Sequence, residues 1–320
     1  MCMKKADPKA SVCITNGYGK LGQCAIGAAN GIGRNNGIPW SEMTFNGEPL
    51  TDVLRRENDA LADVLKRFGT EVLEVETLTP ERIEAAYGPA GPKEGLNQLF
   101  PRDNIAIVAN DLIEFVLNTP GRRTDVLGLY GILREKYRDD AICWYSTPQC
   151  PLSGNPEGYP FFDARDLIQL DDRMVIGLHS DGVGTDNEGF RWMRNTFAFH
   201  DVRAVTLPEG AGFLGQALYV PRPGLVLVCR EVVKELPSFM KDWDVIEVTK
   251  EESDSLLTDI LSLDERTVVI GYSDLSDPSR IVSELSARGI DVIALDFSAH
   301  IELGGSVGSS VLPLKRAVPQ

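Results

Sequence analysis

The chain is short of histidine and of paired cysteine, and it has no long apolar run. Its three histidines, His179, His200 and His300, form no H-x-x-x-H pair, and its six cysteines form no C-x-x-C pair. Metal-ligand spacing is therefore missing, and neither a metal nor another cofactor is expected. Cys13, Cys24, Cys143 and Cys229 fall inside apolar strand patterns, where cysteine acts as a small buried hydrophobe. Reduced thiols in a cytoplasmic protein are the expectation. No stretch approaches the roughly 18 apolar residues of a membrane span. No apolar segment follows Lys4 and Lys5, so no secretory signal is expected. Positive charge is scarce too. With 32 Lys and Arg against 47 Asp and Glu, the formal net charge is −15. Binding to a phosphate backbone needs a cationic footprint, and an anionic membrane repels such a surface. Neither nucleic acid nor membrane is an expected partner.

What the sequence does have is a repeat. Five apolar strands each open a unit: Gln23-Cys-Ala-Ile-Gly27, Asn104-Ile-Ala-Ile-Val108, Arg173-Met-Val-Ile-Gly177, Gly224-Leu-Val-Leu-Val228 and Arg266-Thr-Val-Val-Ile270. A helical segment follows, then a closing strand: Thr70–Val75, Ala141–Tyr145, Asp201–Val205, Asp244–Val248 and Ile290–Ala294. One such unit cannot bury both faces of its sheet alone. Unequal spacing between units speaks against an open solenoid, so the pattern predicts one closed α/β domain over residues 1–320. Its five units would surround an axis, with helices outside and the opening strands nearest the centre.

Helices are expected over Thr51–Phe68, with Thr51 as cap, and over Thr124–Tyr137 and Asn187–Phe199. A short one is expected over Val232–Lys241, interrupted by Pro237, and a fifth from Asp277 or Pro278 to a C-terminal stop at Gly289. Gly27–Gly37 and residues 79–99 read as loops. Gly17-Tyr-Gly19-Lys-Leu-Gly22 matches a dinucleotide fingerprint, but the fingerprint must open a helix. Here a strand follows, and a β-hairpin turn at Tyr18-Gly19 is the better reading.

Loops at one end of such a ring converge on its axis, so polar residues at strand ends carry most interest. His179 ends an apolar strand and opens the loop Ser180-Asp-Gly-Val-Gly184, which makes it the best candidate for a general base. The alternative is a loop histidine bonded to a neighbouring carboxylate. His200, at a helix end, and His300 are weaker candidates. Cys150, outside any strand pattern, is read as an inert loop thiol rather than a displaced nucleophile.

Six segments stand in order along the chain: Pro101-Arg102-Asp103, Phe162-Asp163-Ala-Arg-Asp166, Gly189-Phe-Arg-Trp192-Met-Arg194, Pro223-Gly224-Leu-Val-Leu227, Leu261–Arg266 and Leu303-Gly304-Gly305. Together they resemble the amidinotransferase family, most closely its glycine amidinotransferase branch. The resemblance runs from about Ser11 to Arg316. It implies the pentein fold, a five-bladed α/β propeller with pseudo-fivefold symmetry, and a cationic guanidino or amino small-molecule ligand. It also implies Asp163 and Ser309 as catalytic candidates, to which the strand-end reading adds His179. Asp103, Arg102, Phe213, Gly305 and Ser306 are the substrate-binding ones.

Three family positions differ. The nucleophilic cysteine falls on Ser309, the histidine on Phe213 and the nearby acid on Gly215. A serine hydroxyl is a weak nucleophile without a base in reach, and phenylalanine is no base. The expectation is a diverged enzyme acting on a guanidino, amidino or amino-acid-derived molecule, in specialised-metabolite biosynthesis, without the thiolate mechanism. A pseudoenzyme binding a cationic ligand or an active partner is the alternative. Oligomeric state is left open, a homo-oligomer included.

Overall fold

The computed structural model describes residues 6–29, 50–88, 97–151 and 154–318. Most of the Gly27–Gly37 segment, and Pro89 and Pro92, lie outside them. The described strands form five three-stranded sheets of one design. The first joins β1 (Leu21–Ile26) and β2 (Glu71–Glu74) to β15 (Val311–Arg316). The second is β3 (Ile105–Val108), β4 (Asp111–Glu114) and β5 (Cys143–Ser146). The third is β6 (Leu167–Leu170), β7 (Arg173–His179) and β8 (Asp201–Leu207). Next come β9 (Leu218–Arg222), β10 (Leu225–Val228) and β11 (Asp244–Glu247), then β12 (Leu261–Ser262), β13 (Thr267–Tyr272) and β14 (Asp291–Asp296). In each sheet the middle strand runs parallel to one neighbour and antiparallel to the other.

The parallel partners are the opening and closing strands expected from the sequence, with one exception. In the second sheet the parallel pair is β4 with β5, and the expected opener β3 is the antiparallel strand. Both β3 and β4 are almost wholly buried, so hydrophobicity does not separate them. Their turn contains Ala109 at φ 52° rather than a glycine, which hides the hairpin in the sequence.

Apart from β3, the expected opening strands do not lie nearest the centre. One cavity of about 80 Å³ is lined by residues of β3, β6, β9, β12 and β15, the antiparallel strand of every sheet. The segment before β1 is no hairpin arm: Cys13, Ile14 and Asn16 make single bridges to Lys315, Ala109 and Leu170. Asn16 Oδ1 accepts the Tyr18 and Gly19 N–H groups, which makes the turn. A Cβ on Gly19 would lie 2.4 Å from the Ala317 carbonyl oxygen, so close approach explains that glycine.

The crossover helices vary more than the strands. Helix α1 (Thr51–Arg67) buries Leu54, Leu61 and Leu65, and the latter two pack in one core cluster with Leu21, Cys24 and Ile26. Each such burial is worth about 1.5–3 kcal/mol. Thr51 is its first residue and makes no capping bond. Helix α2 (Pro80–Tyr87), capped by Thr79, stands where a loop was expected. In the second unit a 3₁₀ turn, Asp125–Leu129, precedes α3 (Tyr130–Lys136). Gly128 there packs so closely that a Cβ would meet the Gln98 amide at 2.0 Å.

Helix α4 is Asn187–Thr196. The expected helix at Val232–Lys241 is reduced to a 3₁₀ turn, Ser238–Met240, after Pro237. Proline has no N–H to donate and disfavours helix in the residue before it. Then come α5 (Lys250–Asp254), α6 (Ser279–Ala287) and α7 (Ser298–Glu302). Gly289, at φ 75°, follows α6 as the left-handed stop that the sequence predicts. No helix among the described residues is long and apolar enough to cross a membrane.

Candidate functional site

Asp163 lies between Phe162 and the 3₁₀ turn Ala164–Asp166 and caps that turn, its Oδ1 accepting the Arg165 N–H at 2.9 Å. The turn folds the Arg165 side chain back onto the same carboxylate. Nε lies 3.0 Å from Oδ1 and Nη2 2.6 Å from Oδ2, a two-pronged, charge-assisted pair. Nε is also 3.2 Å from Asp103 Oδ1, and Nη1 donates to the Gly304 carbonyl at 3.3 Å. The guanidinium carbon lies 4.3 Å from the centre of the Phe213 ring.

Arg122 holds the other side of Asp103, with Nη1 2.5 Å from Oδ2. Its Nε is 3.0 Å from Asp125, which also accepts the Asn97 N–H. Asp125, Arg122, Asp103, Arg165 and Asp163 thus alternate in sign along one buried chain. Burial raises the carboxyls of Asp103, to about 6, and Asp125, to about 7, against the pull of the arginines. At Asp163 burial also works upward, but Arg165 outweighs it and holds the carboxyl below the usual range.

Above this chain is a cavity of about 300 Å³, lined by Asp163, Arg165, His179, Gln216, Asp254 and Gly304 among others. His179 ends β7 and is almost fully buried. Its Nε2 is 3.3 Å from Asp166 Oδ1. Asp166 is itself fixed by the N–H groups of Leu214 at 2.8 Å and Thr185 at 3.1 Å. His179 Nδ1 has no hydrogen-bond partner, with Asp181 Oδ1 at 3.9 Å. Burial disfavours the imidazolium, but Asp166, Asp181 and Asp163 outweigh it and raise the pKa. The loop after His179 lies directly on the ring: a Cβ on Gly184 would come within 2.6 Å of it. This corner is a histidine–carboxylate pair facing a pocket, able to hold or move a proton.

No family model matches the chain. It is 25% identical over 305 residues to the L-arginine:L-lysine amidinotransferase of Pseudomonas savastanoi pv. phaseolicola, covering 83% of this chain and 79% of that protein. An amidinotransferase from the saxitoxin biosynthetic pathway of Microseira wollei superposes with a TM-score of 0.80 at 20% identity, over 97% of this chain and 98% of that one. The inosamine-phosphate amidinotransferase of Streptomyces griseus does so with 0.79 at 17% identity, over the same shares. The chain is similar to amidinotransferases along most of its length. Its fold is the pentein fold, shared with a dimethylarginine dimethylaminohydrolase that superposes with a TM-score of 0.67 over 92% of this chain and 99% of that one.

Against that amidinotransferase frame the expected site residues divide. Asp103, Asp163 and Phe213 gather around Arg165, and His179 lies close by on the shared cavity. The other four stand apart from that cavity. Ser309 is fully buried, its Oγ donating to Asp259 Oδ2 at 2.7 Å, and the same oxygen accepts the N–H groups of Ser306 and Ser309. Asp259 therefore grips the 306–309 loop. Ser306 Oγ is buried without a partner, against Gly271. Gly305 packs on the Phe100 ring, where a Cβ would lie 2.5 Å from it. Among the described residues Arg102 donates to the Gly308 carbonyl alone, at 3.4 Å, and it lines the 80 Å³ cavity instead.

His300 is buried with Nδ1 2.6 Å from Glu57 of α1 and is stacked on Phe297, and burial lowers its pKa. Neither it, His200 nor Cys150 lines the His179 cavity. Arg165, Arg122, Asp125 and Asp259 were missed as site residues. Only Arg165 carried a signal, as the single cation inside the Phe-Asp-Ala-x-Asp segment. Among the described residues no cluster of His, Cys, Asp and Glu could hold a metal.

Proposed function

We propose that this chain is a five-bladed pentein that does not carry out amidino transfer. It binds a small polar ligand over a guanidinium of its own. The closed single domain is supported by five sheets of one design, by one cavity lined from all five, and by the pairing of β15 with β1.

The observation that carries the function is Arg165. Its guanidinium is bidentate on Asp163, touches Asp103 and stacks on Phe213. By the family resemblance those two carboxylates would hold the substrate's guanidinium, so the cradle is filled from within. The nucleophile position is equally altered. Ser309 lies on a carboxylate, Asp259, and its hydroxyl does not line the cavity. The ligand space that remains has Arg165, His179, Gln216 and Asp254 on its wall, a set of mixed charge suited to an amino-acid-like zwitterion.

Calorimetry with L-arginine, and assay for ornithine release, test this reading. The intact protein is expected to bind no guanidino compound in the cradle and to release no ornithine. Arg165→Ala is expected to gain binding of methylguanidine. Ornithine release by the intact protein, or an amidino adduct on Ser309, would overturn it.

A second reading, a diverged enzyme, is favoured by one observation: the His179–Asp166 pair faces that same cavity. Mass-spectrometric turnover of guanidino or amino-acid substrates that is lost in His179→Gln would establish it.

A further inference from the structure

The 80 Å³ cavity among β3, β6, β9, β12 and β15 has two arginines on its wall, Arg102 and Arg316, and no carboxylate. This is unexpected in a chain of net charge −15. Among the described residues neither arginine makes an ion pair; all their recorded partners are carbonyl oxygens. Arg316 is 4% exposed. Its Nη1 donates to Gly19 at 2.7 Å and to Ser262 at 2.9 Å, while its buried Nε has no partner. Arg102 reaches the Gly308 carbonyl alone.

Opposite them Tyr219 and Ser262 share one hydrogen bond of 2.5 Å between their hydroxyls. One O–H serves that bond, so the other remains to donate. Burial raises the Tyr219 pKa, so the phenol stays protonated and supplies no counter-charge. Arg316 is pulled down to about 10, by burial and by Arg102, and its guanidinium remains charged at neutral pH. A buried charge left without a partner is strongly destabilising.

We propose that this cavity binds a small monovalent inorganic anion, chloride, between Arg102, Arg316 and the Tyr219–Ser262 hydroxyl pair. The volume admits more than one water-sized species. The rest of the wall is largely aliphatic, including Ile105, Leu167, Leu261 and Leu312, which suits a weakly hydrated halide better than a multiply charged oxyanion. The site is separate from the Arg165 cradle and does not depend on the function proposed for it. Its occupant would tie β15 to β9 and β12, since Arg316 ends β15, Tyr219 lies in β9 and Ser262 in β12.

Two measurements on the full-length protein test this. Thermal unfolding is compared in sodium chloride and sodium gluconate at equal ionic strength, and a crystal soaked in sodium bromide is examined for anomalous scattering. The expected result is a higher unfolding temperature in chloride and a bromide peak between Arg102 and Arg316. Arg102→Met, at a partly buried position and removing no ion pair, is expected to fold and to lose both. Equal unfolding temperatures in the two salts, no peak in the cavity, or a chloride effect that persists in Arg102→Met would overturn the proposal. A peak in phosphate-soaked but not bromide-soaked crystals would overturn the choice of a monovalent anion.

Discussion

Two pairs of arginines are set into this molecule under opposite electrostatic rules. Arg122 and Arg165 alternate with Asp125, Asp103 and Asp163, so every guanidinium in that chain lies between carboxylates. Arg102 and Arg316 share a cavity whose wall has no acid at all. In the first arrangement each guanidinium is paired on both sides by carboxylates of the protein itself. The second is incomplete as built from protein alone. An arginine is thus a poor guide to ligand charge until its partners are known. Here the carboxylates expected to hold a cation already hold arginines of the chain, and the cavity of Arg102 and Arg316 is the one that lacks a counter-charge.

The sharpest way to break the comparison is Arg165→Ala. Removing one member of a buried ionic cluster strands its partners and costs about 3–5 kcal/mol. Denaturant unfolding should show that loss, and millimolar methylguanidine should restore part of it. Arg316→Met is the matched change in the other cavity. It removes a buried cation that has no carboxylate partner, so in gluconate its cost is expected to be well below that of Arg165→Ala, within about 1 kcal/mol of the parent. Equal losses in the two variants would erase the distinction.

Smaller effects sharpen the picture. Ser309→Ala removes one hydroxyl bond to a carboxylate, worth about 1.5–3 kcal/mol, and should leave no other trace. Ser309→Cys is expected to gain no amidino transfer, because Phe213 and Arg165 still occupy the surroundings of Asp163. Assay for ornithine from arginine checks it.

The smallest expected effect is that of pH. His179 is raised above the ordinary histidine value of about 6.5, so the folded state holds its proton more tightly than the unfolded one. That contribution is fully present below about 6.5 and is lost as pH rises through the folded pKa. His300 is lowered, and its contribution runs the other way, present above about 6.5 and lost as pH falls. Imidazole NMR titration should separate the two, and Asp166→Asn should bring His179 downward while leaving His300 unmoved.

Much of the fold is legible in the sequence because the middle strands are buried on both faces. Runs such as Leu225-Val-Leu-Val228 and Thr267-Val-Val-Ile270 have no other use. The antiparallel strands are harder to read. β12 is two residues long, and β15 contains Pro313, Lys315 and Arg316, so no apolar run marks either. The site is less legible still. Asp103 and Asp163 are found from the family resemblance, but sequence does not tell which way Arg165 turns. That is decided by the 3₁₀ turn at Ala164–Asp166, which returns the side chain to the carboxylate two residues before it. Arg122 lies 19 residues from Asp103, and Asp259 lies 50 from Ser309, separations that no local pattern encodes.

The pairing of β15 with β1 has a consequence for how the protein is made. Leu21–Ile26 leaves the ribosome some 290 residues before Val311–Arg316, which covers one of its edges. Throughout the synthesis of the intervening residues that edge offers unpaired N–H and C=O groups beside apolar side chains, the arrangement that invites pairing between nascent chains. The sheet begun first is completed last. Premature termination before Val311 would therefore leave a protein with four finished sheets and one adhesive edge, and such fragments should be recovered as aggregates or chaperone clients rather than as free monomers.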